Sequence, residues 1–170
     1  YLQGDLFFQG QRPAVDVGIS VSRVGGSAQV KGMKQVAGNL RLDLANYREM
    51  QSFAQFGSDL DDATRHQLAR GARMTELLKQ GRYAALDVAD QIAVIYAGSH
   101  GFMDSLAVDQ ILPFRAGLVQ YLQTSCHDLR EKMRVSKVND AMAKELEAAI
   151  TAYKDRFVAA AEAAAAESEK

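Results

Sequence analysis

Apolar residues recur at steps of three and four positions through most of the chain, which is the spacing of one face of an α-helix. The first run of this kind predicts a long helix over residues 28–56. Two glycines inside it each weaken the helix by about 1 kcal/mol relative to alanine. The pair Gly57-Ser58 predicts its end, and we expect Ser58 or Asp59 to cap the helix that follows.

Further helical segments share this spacing, and a turn at 102–106 separates two of them. Asp87 can cap a helix that contains the run IAVIYA, which is apolar nearly all round and should therefore lie buried at the centre. The alanine-rich end of the last segment has high helix propensity but little to bury, so we expect a frayed or solvated helical tail there. The predicted segments are 61–80, 88–98, 108–124, 127–134 and 139–166.

The first 26 residues follow a different pattern, and we call residues 1–26 the leader. Apolar residues partly alternate with polar or small ones over 14–21, AVDVGISV, which is typical of a strand, and Gly25-Gly26 predicts a turn. The rest of the chain predicts no strand to pair with this one. The predicted fold is therefore mainly α: a bundle of about five to seven helices over 27–170, with a short strand and loop leader.

Composition narrows the class of protein. The 170 residues are 48% hydrophobic and 24% charged, which is ordinary for a globular protein. A single cysteine, Cys126, allows no intramolecular disulfide and favours a reducing compartment. No apolar run approaches the roughly 18 residues that a membrane-spanning helix needs.

Charged and metal-ligating residues give little sign of a further site. Cys126 and His127 are adjacent, so on a helix they point about 100° apart. The acidic cluster at 59–62 could suggest a metal, but its place at a helix start favours capping and the helix dipole, so no metal site is predicted. The net charge of −1 and the acids Asp43 and Glu49 within the first helix argue against nucleic acid. The basic residues of that helix are interpreted as a solvated face; they are Lys31, Lys34, Arg41 and Arg48.

A specific motif lies in the leader. Residues 13–22, PAVDVGISVS, resemble a pattern shared by the α and β subunits of rotary ATPases, and the continuation RVGG resembles α subunits. The stretches KQVAGNLRLDLANYREMQSFAQFGSDLDDAT and TELLKQGRY are similar to α subunits too, in the same order and spacing. The likeness is strong through Gly101 and fades beyond about Asp104. The chain thus resembles the C-terminal part of the α subunit of an F-type ATP synthase.

The resemblance implies a larger setting. The leader would be the end of the nucleotide-binding α/β domain, and 27–170 the C-terminal helical domain. No G-x-x-x-x-G-K-[ST] phosphate loop occurs in the sequence, so we expect a fragment or truncated product that lacks ATPase activity alone. ATP or ADP with Mg would bind the complete subunit, and no cofactor is expected in this part.

The same resemblance implies partners and a location. The partners would be β and γ subunits, with α and β alternating in a ring of six around the γ shaft. The assembled proton-transporting complex would lie on the cytoplasmic face of the bacterial inner membrane or the matrix face of the mitochondrial one. This chain would reach the membrane only through that complex.

Arg23 is the residue to which the resemblance assigns chemistry. It would be an arginine finger that acts on nucleotide held by the neighbouring β subunit, where a guanidinium stabilises the negative charge that develops on phosphoryl oxygens. Ser20 matches a position required for full activity in the family, and Ser22 would support the strand end. The residues alone favour a surface arginine after a strand for Arg23, and a strand serine bonded to backbone for Ser20; the assignment of chemistry comes from the resemblance.

A second set of residues is implied to surround the adenine of the nucleotide bound by the α subunit itself. An aromatic face, a proline face and an arginine can sandwich a purine without acid–base chemistry. Plain core packing is the alternative for Phe7. Many family members carry glutamine where this chain has Arg82. The set is Phe7, Arg12, Pro13, Gln80 and Arg82.

A different class of function stays open from the sequence. The absent phosphate loop also suits a stand-alone helical interaction module, or a truncated α-like protein that binds β or γ surfaces without nucleotide chemistry. The intact mass of the protein from its native source would separate a short protein from a fragment.

Overall fold

The computed structural model describes residues 1–54 and 60–168, and these fold mainly into α-helices. The predicted mainly α bundle is confirmed, and a 3-10 turn at Val108–Gln110 leads into its seventh helix. The cap candidates Ser58 and Asp59 lie outside the described residues. The helices are α1 (Gly4–Phe8), α2 (Arg23–Ala28), α3 (Lys31–Val36), α4 (Leu40–Ala54), α5 (Asp62–Leu77), α6 (Val88–Ser99), α7 (Ile111–Ser125), α8 (His127–Val135) and α9 (Asp140–Ser168).

The strand predicted over 14–21 is wrong. Val15 forms only an isolated antiparallel bridge with Leu2, and the described chain offers no sheet for the segment to join. Asp16 supplies a local alternative, because its Oδ1 accepts a hydrogen bond from the N–H of Gly18 at 2.9 Å. An aspartate that bonds the backbone two residues on makes a turn, and here that turn replaces the strand.

The single helix predicted over 28–56 is also wrong, because the chain breaks it into separate pieces. Val30 is extended, with φ −63° and ψ 157°, and Gly38 lies in the turn between α3 and α4. The breaks let α3 pack against α6 while α4 packs against α5. Gly32 is buried in α3 where an added Cβ would lie 3.0 Å from Ile92 of α6, so close packing compensates for the interrupted helix.

Helix α6 is the centre of the bundle, as its apolar sequence predicts. Nine of its twelve residues are buried, and it contacts α3, α5, α7, α8 and α9. The predicted cap is confirmed, since the Asp87 carboxylate accepts from the N–H of Ala89 at 2.9 Å. At the start of α5, Asp61 of the acidic cluster accepts from the N–H of Thr64 at 2.6 Å, which confirms the predicted capping role for this member of the cluster.

Helix α9 forms the end of the described chain. Asn139 caps it by accepting from the N–H of Met142 at 2.9 Å. Its first half packs on α7, and beyond Val158 most of the described side chains are exposed, as predicted for a solvated helical tail. Neither α9 nor any other described helix has the length of apolar sequence that crossing a bilayer requires.

A buried ion pair joins three of these helices. Arg130 of α8 donates to both carboxylate oxygens of Asp90 on α6, at 2.8 and 3.0 Å. Gln123 of α7 donates to the same carboxylate at 2.8 Å. The side chains of Asp90 and Arg130 are only 1% and 9% exposed. Because a buried carboxylate is costly unless it is fully hydrogen-bonded, this contact fixes how α6, α7 and α8 can pack.

Replacing Arg130 by methionine should therefore destabilise the chain by about 3–5 kcal/mol, because the Asp90 carboxylate stays buried without its partner. Urea unfolding followed by circular dichroism measures the loss. Arg65→Met is the matched control: Arg65 pairs with Asp62 at the surface at 2.8 Å, and less than about 1 kcal/mol should be lost. Equal losses in the two variants would contradict the central place of the buried pair.

Tyr96 links α6 to α9 through its hydroxyl, which donates to Glu147 at 2.6 Å. Burial, together with this bond to a carboxylate, raises the pKa of Tyr96 to about 12. In the unfolded chain a tyrosine ionises near pH 10. The stability that depends on neutral Tyr96 is therefore complete below about pH 10 and is lost as the pH rises toward 12.

The urea midpoint of the wild type should accordingly fall more between about pH 8 and about pH 11 than that of Tyr96→Phe, which lacks the buried phenol at this position. Tyr83→Phe is the control for removing a phenol, since the Tyr83 side chain is 89% exposed. The urea midpoint of Tyr83→Phe should change with pH as that of the wild type does. Identical pH dependence in the wild type and Tyr96→Phe would show that the buried hydroxyl does not govern alkaline stability.

Candidate functional site

Arg23 is the first residue of α2 and is exposed. Its neighbour Ser22 caps this helix: the Ser22 backbone is extended, and its Oγ accepts from the N–H of Gly25 at 2.8 Å. No side-chain hydrogen bond or ion pair engages the Arg23 guanidinium within the described parts of the chain. Among the described residues, nothing therefore blocks this guanidinium from meeting an anion presented from outside the chain.

Ser20 lies in the chain that leads to Arg23 and is half-buried. Its Oγ accepts from the backbone nitrogen of Tyr1 at 3.0 Å, and its own N–H donates to the carbonyl of Asp16 at 3.0 Å. Over residues 1–54 and 60–168, neither Ser20 nor Ser22 bonds a histidine or carboxylate that could take its proton. Both hydroxyls therefore shape the backbone near Arg23, and neither has the surroundings of a nucleophile.

Asp16 connects this region to the bundle. Its Oδ1 lies 2.8 Å from Nη1 of Arg48 on α4, besides accepting from the N–H of Gly18 and Ile19. Burial alone would raise the pKa of Asp16, but the hydrogen bonds from Gly18 and Ile19 and the charge of Arg48 lower it on balance. The carboxylate is thus held ionised, with three donors on Oδ1 and the Gln3 side-chain amide on Oδ2 at 3.4 Å.

The structure brings four of the five predicted adenine-site residues together. We call Phe7, Arg12, Pro13 and Gln80 the stacking cluster. The guanidinium carbon of Arg12 lies 4.0 Å from the centre of the Phe7 ring. The N–H of Gln80, just beyond α5, donates to the Arg12 carbonyl at 2.7 Å, and Pro13 follows Arg12 through a cis peptide bond.

Phe7 is 47% exposed in this chain and does not belong to the buried core of the described residues. A cation over an exposed aromatic ring forms a flat, polarised surface of the kind on which a planar base can stack.

Arg82 is placed differently from the stacking cluster. Its guanidinium lies 4.8 Å from the centre of the Tyr83 ring, and its Nη2 donates to the Tyr83 hydroxyl at 2.9 Å. Both residues belong to the loop between α5 and α6. In this arrangement Arg82 contacts its own neighbour and not Phe7 or Arg12.

Sequence reasoning missed the role of Arg48, which was assigned to a solvated basic face. The Arg48 side chain is only 32% exposed and forms an ion pair with the leader. The available signal was its helical register: Arg48 follows Leu44 by four positions, and Leu44 is buried. A basic residue one turn from a core leucine lies at the border of the buried face, where a partner carboxylate is expected.

A known family model matches most of the chain. The family model described as ATP synthase alpha/beta chain, C terminal domain, matches residues 29–153, so the chain belongs to this family. The match runs from just before α3 into α9 and leaves the leader outside it. The family is part of the multi-subunit ATP synthase assembly.

The cap of α2 can be tested directly. Ser22→Ala should speed hydrogen exchange of the Gly25 amide about fivefold, because losing a serine cap costs about 1 kcal/mol. Amide exchange of the folded chain by NMR measures this. Ser27→Ala, in the same helix but away from the cap, should leave the Gly25 rate unchanged. An unchanged Gly25 rate in Ser22→Ala would contradict the capping bond.

Proposed function

We propose that this member of the ATP synthase α/β family is the C-terminal part of an α-type subunit, and that Arg23 is an arginine finger for nucleotide on a neighbouring β-type subunit. The observation that carries the proposal is the exposure of Arg23 at the capped start of α2, where no described residue bonds its guanidinium. The Arg-Val-Gly-Gly continuation, which resembles α subunits, supports the choice of α over β.

The proposed role follows from the chemistry of phosphoryl transfer. Negative charge spreads over the phosphoryl oxygens as the bond to the leaving group breaks, and a positioned guanidinium stabilises it. Arginine suits this task because it is always charged and its planar fork matches two oxygens. Ser20 and Ser22 act by fixing the backbone on either side of the approach to Arg23.

The stacking cluster is proposed to hold the adenine of a nucleotide bound by the complete α-type subunit. Phe7 and Arg12 offer an exposed stacked surface, and Gln80 is tied to it through the backbone. The residues present thus fit a purine by stacking and charge. ATP or ADP with Mg would also need the phosphate loop that this sequence does not contain.

The same proposal assigns separate roles to the leader and to the helical bundle. The leader, 1–26, would complete the nucleotide-binding domain, and 27–170 would be the helical domain that lines the ring of alternating α and β subunits around γ. The complex would synthesise ATP with proton flow and lie at the cytoplasmic face of a bacterial inner membrane, or the matrix face of the mitochondrial one.

The finger assignment is tested in the complete ATP synthase complex that contains this chain. Arg23→Ala should lower the turnover number for ATP hydrolysis at saturating ATP by about a thousandfold or more, as expected for loss of an arginine finger. Arg41→Ala is the control, because Arg41 is an exposed arginine on α4 and turnover should stay near that of the wild type. Near-normal cooperative turnover in Arg23→Ala would sink the assignment and favour a helical module that binds β or γ without nucleotide chemistry.

A further inference from the structure

We infer that Arg48 of α4 is a positioning residue for Arg23, acting through the carboxylate of Asp16. This rests on the proposed function, in which Arg23 meets a nucleotide phosphate. Arg48 would touch no substrate itself. Its effect would pass along the leader, from the ion pair with Asp16 to the start of α2.

The ion pair is the first step. Nη1 of Arg48 lies 2.8 Å from Oδ1 of Asp16, and the two side chains are 32% and 19% exposed. Across the described residues, this is the one ion pair that joins the leader to the bundle. A partly buried pair with additional hydrogen bonds holds its geometry better than an exposed one.

The turn at Asp16 is the second step. The same Oδ1 that meets Arg48 accepts from the N–H of Gly18 and Ile19, at 2.9 and 3.4 Å. The Asp16 carbonyl accepts from the N–H of Ser20 at 3.0 Å. Arg48 therefore fixes not just one side chain but the direction in which the chain leaves this turn.

The path from the turn to Arg23 is the third step. Val17 packs against the core of the bundle, which gives the turn an apolar anchor beside the ionic one. Ser22 is extended, and α2 begins at the next residue. Since no described residue bonds the Arg23 guanidinium, the position of Arg23 depends on the orientation of the turn behind it.

The charge state of Asp16 is compatible with this role at neutral pH. Burial opposes ionisation, but the backbone hydrogen bonds and Arg48 together lower the pKa of Asp16. Neutral pH lies well above the titration range of this carboxylate, so Asp16 is ionised there. Its ion pair with Arg48 therefore persists under ordinary assay conditions.

The test uses steady-state ATP hydrolysis by the complete complex. Arg48→Met should lower the turnover number about tenfold or more while leaving KM for ATP nearly unchanged, because misplacing a finger removes an interaction made mainly in the transition state. Arg48→Lys should recover part of the loss by restoring the charge. Asp16→Asn should resemble Arg48→Met, since an asparagine oxygen can still accept from Gly18 while the ion pair is lost.

A double mutant separates positioning from general damage. In the Arg23→Ala background, Arg48→Met should cause no further loss of turnover, because its effect passes through the missing guanidinium. Arg41→Met, an exposed arginine replaced on the same helix, should leave turnover unchanged. Urea unfolding of each chain shows whether Arg48→Met remains folded, and if it does not, Asp16→Asn and Arg48→Lys give the same comparison.

The outcomes distinguish this inference from the proposed function beneath it. Impaired turnover in Arg23→Ala with normal turnover in Arg48→Met and Asp16→Asn would overturn the positioning role alone. A further loss from Arg48→Met in the Arg23→Ala background would also overturn it, because Arg48 would then act by another route. Normal turnover in Arg23→Ala would refute the finger itself, and the positioning role with it.

Discussion

The buried carboxylate of Asp90 is the constraint on which the rest of the bundle depends. It lies in a helix that is otherwise almost wholly apolar, and its partners come from two other helices, 33 and 40 residues further along the chain. A slip of α8 by one turn would leave the carboxylate buried without its counter-charge, and a slip of α7 would remove its hydrogen bond from Gln123, each at a cost that apolar packing does not recover. Apolar residues supply the driving force for burial, and Asp90 decides which arrangement of α6, α7 and α8 is allowed.

From this centre, polar contacts extend outward to the leader. Arg115 of α7 donates to the carbonyls of Leu77 and Lys79, which lie where α5 ends and would otherwise lack partners. The next residue, Gln80, donates its N–H to the carbonyl of Arg12 in the leader. The end of α5 therefore serves two purposes: it completes the packing of α7, and it holds the stacking cluster. The bundle thereby positions residues that lie outside its core.

The sequence predicted well those elements that are determined by residues close together in the chain. Helices α5 to α9 follow from apolar periodicity, and two of their caps, Asp61 and Asp87, act on the next few residues. The break between α3 and α4 was missed because its compensation, packing of α3 on α6, comes from far along the chain. The ion pair of Asp90 was missed for the same reason. In the candidate site, the resemblance supplied the stacking cluster, whereas Arg48 required knowing which face of α4 meets the leader.

The leader and the bundle differ in what stabilises them, and this bears on how Arg23 could act. Several large apolar side chains of the leader are mostly exposed, among them Tyr1, Leu2, Phe8 and Val24. Burial therefore contributes little to its stability in this chain, and a few polar contacts, each worth about 1 kcal/mol, hold its orientation. A partner surface that covered those side chains would add about 25 cal/mol for each Å² of apolar area removed from water. Such a partner would supply most of the stability of the bound leader. The contacts of Arg48 and Gln80 with the leader would hold it in the orientation that the partner stabilises.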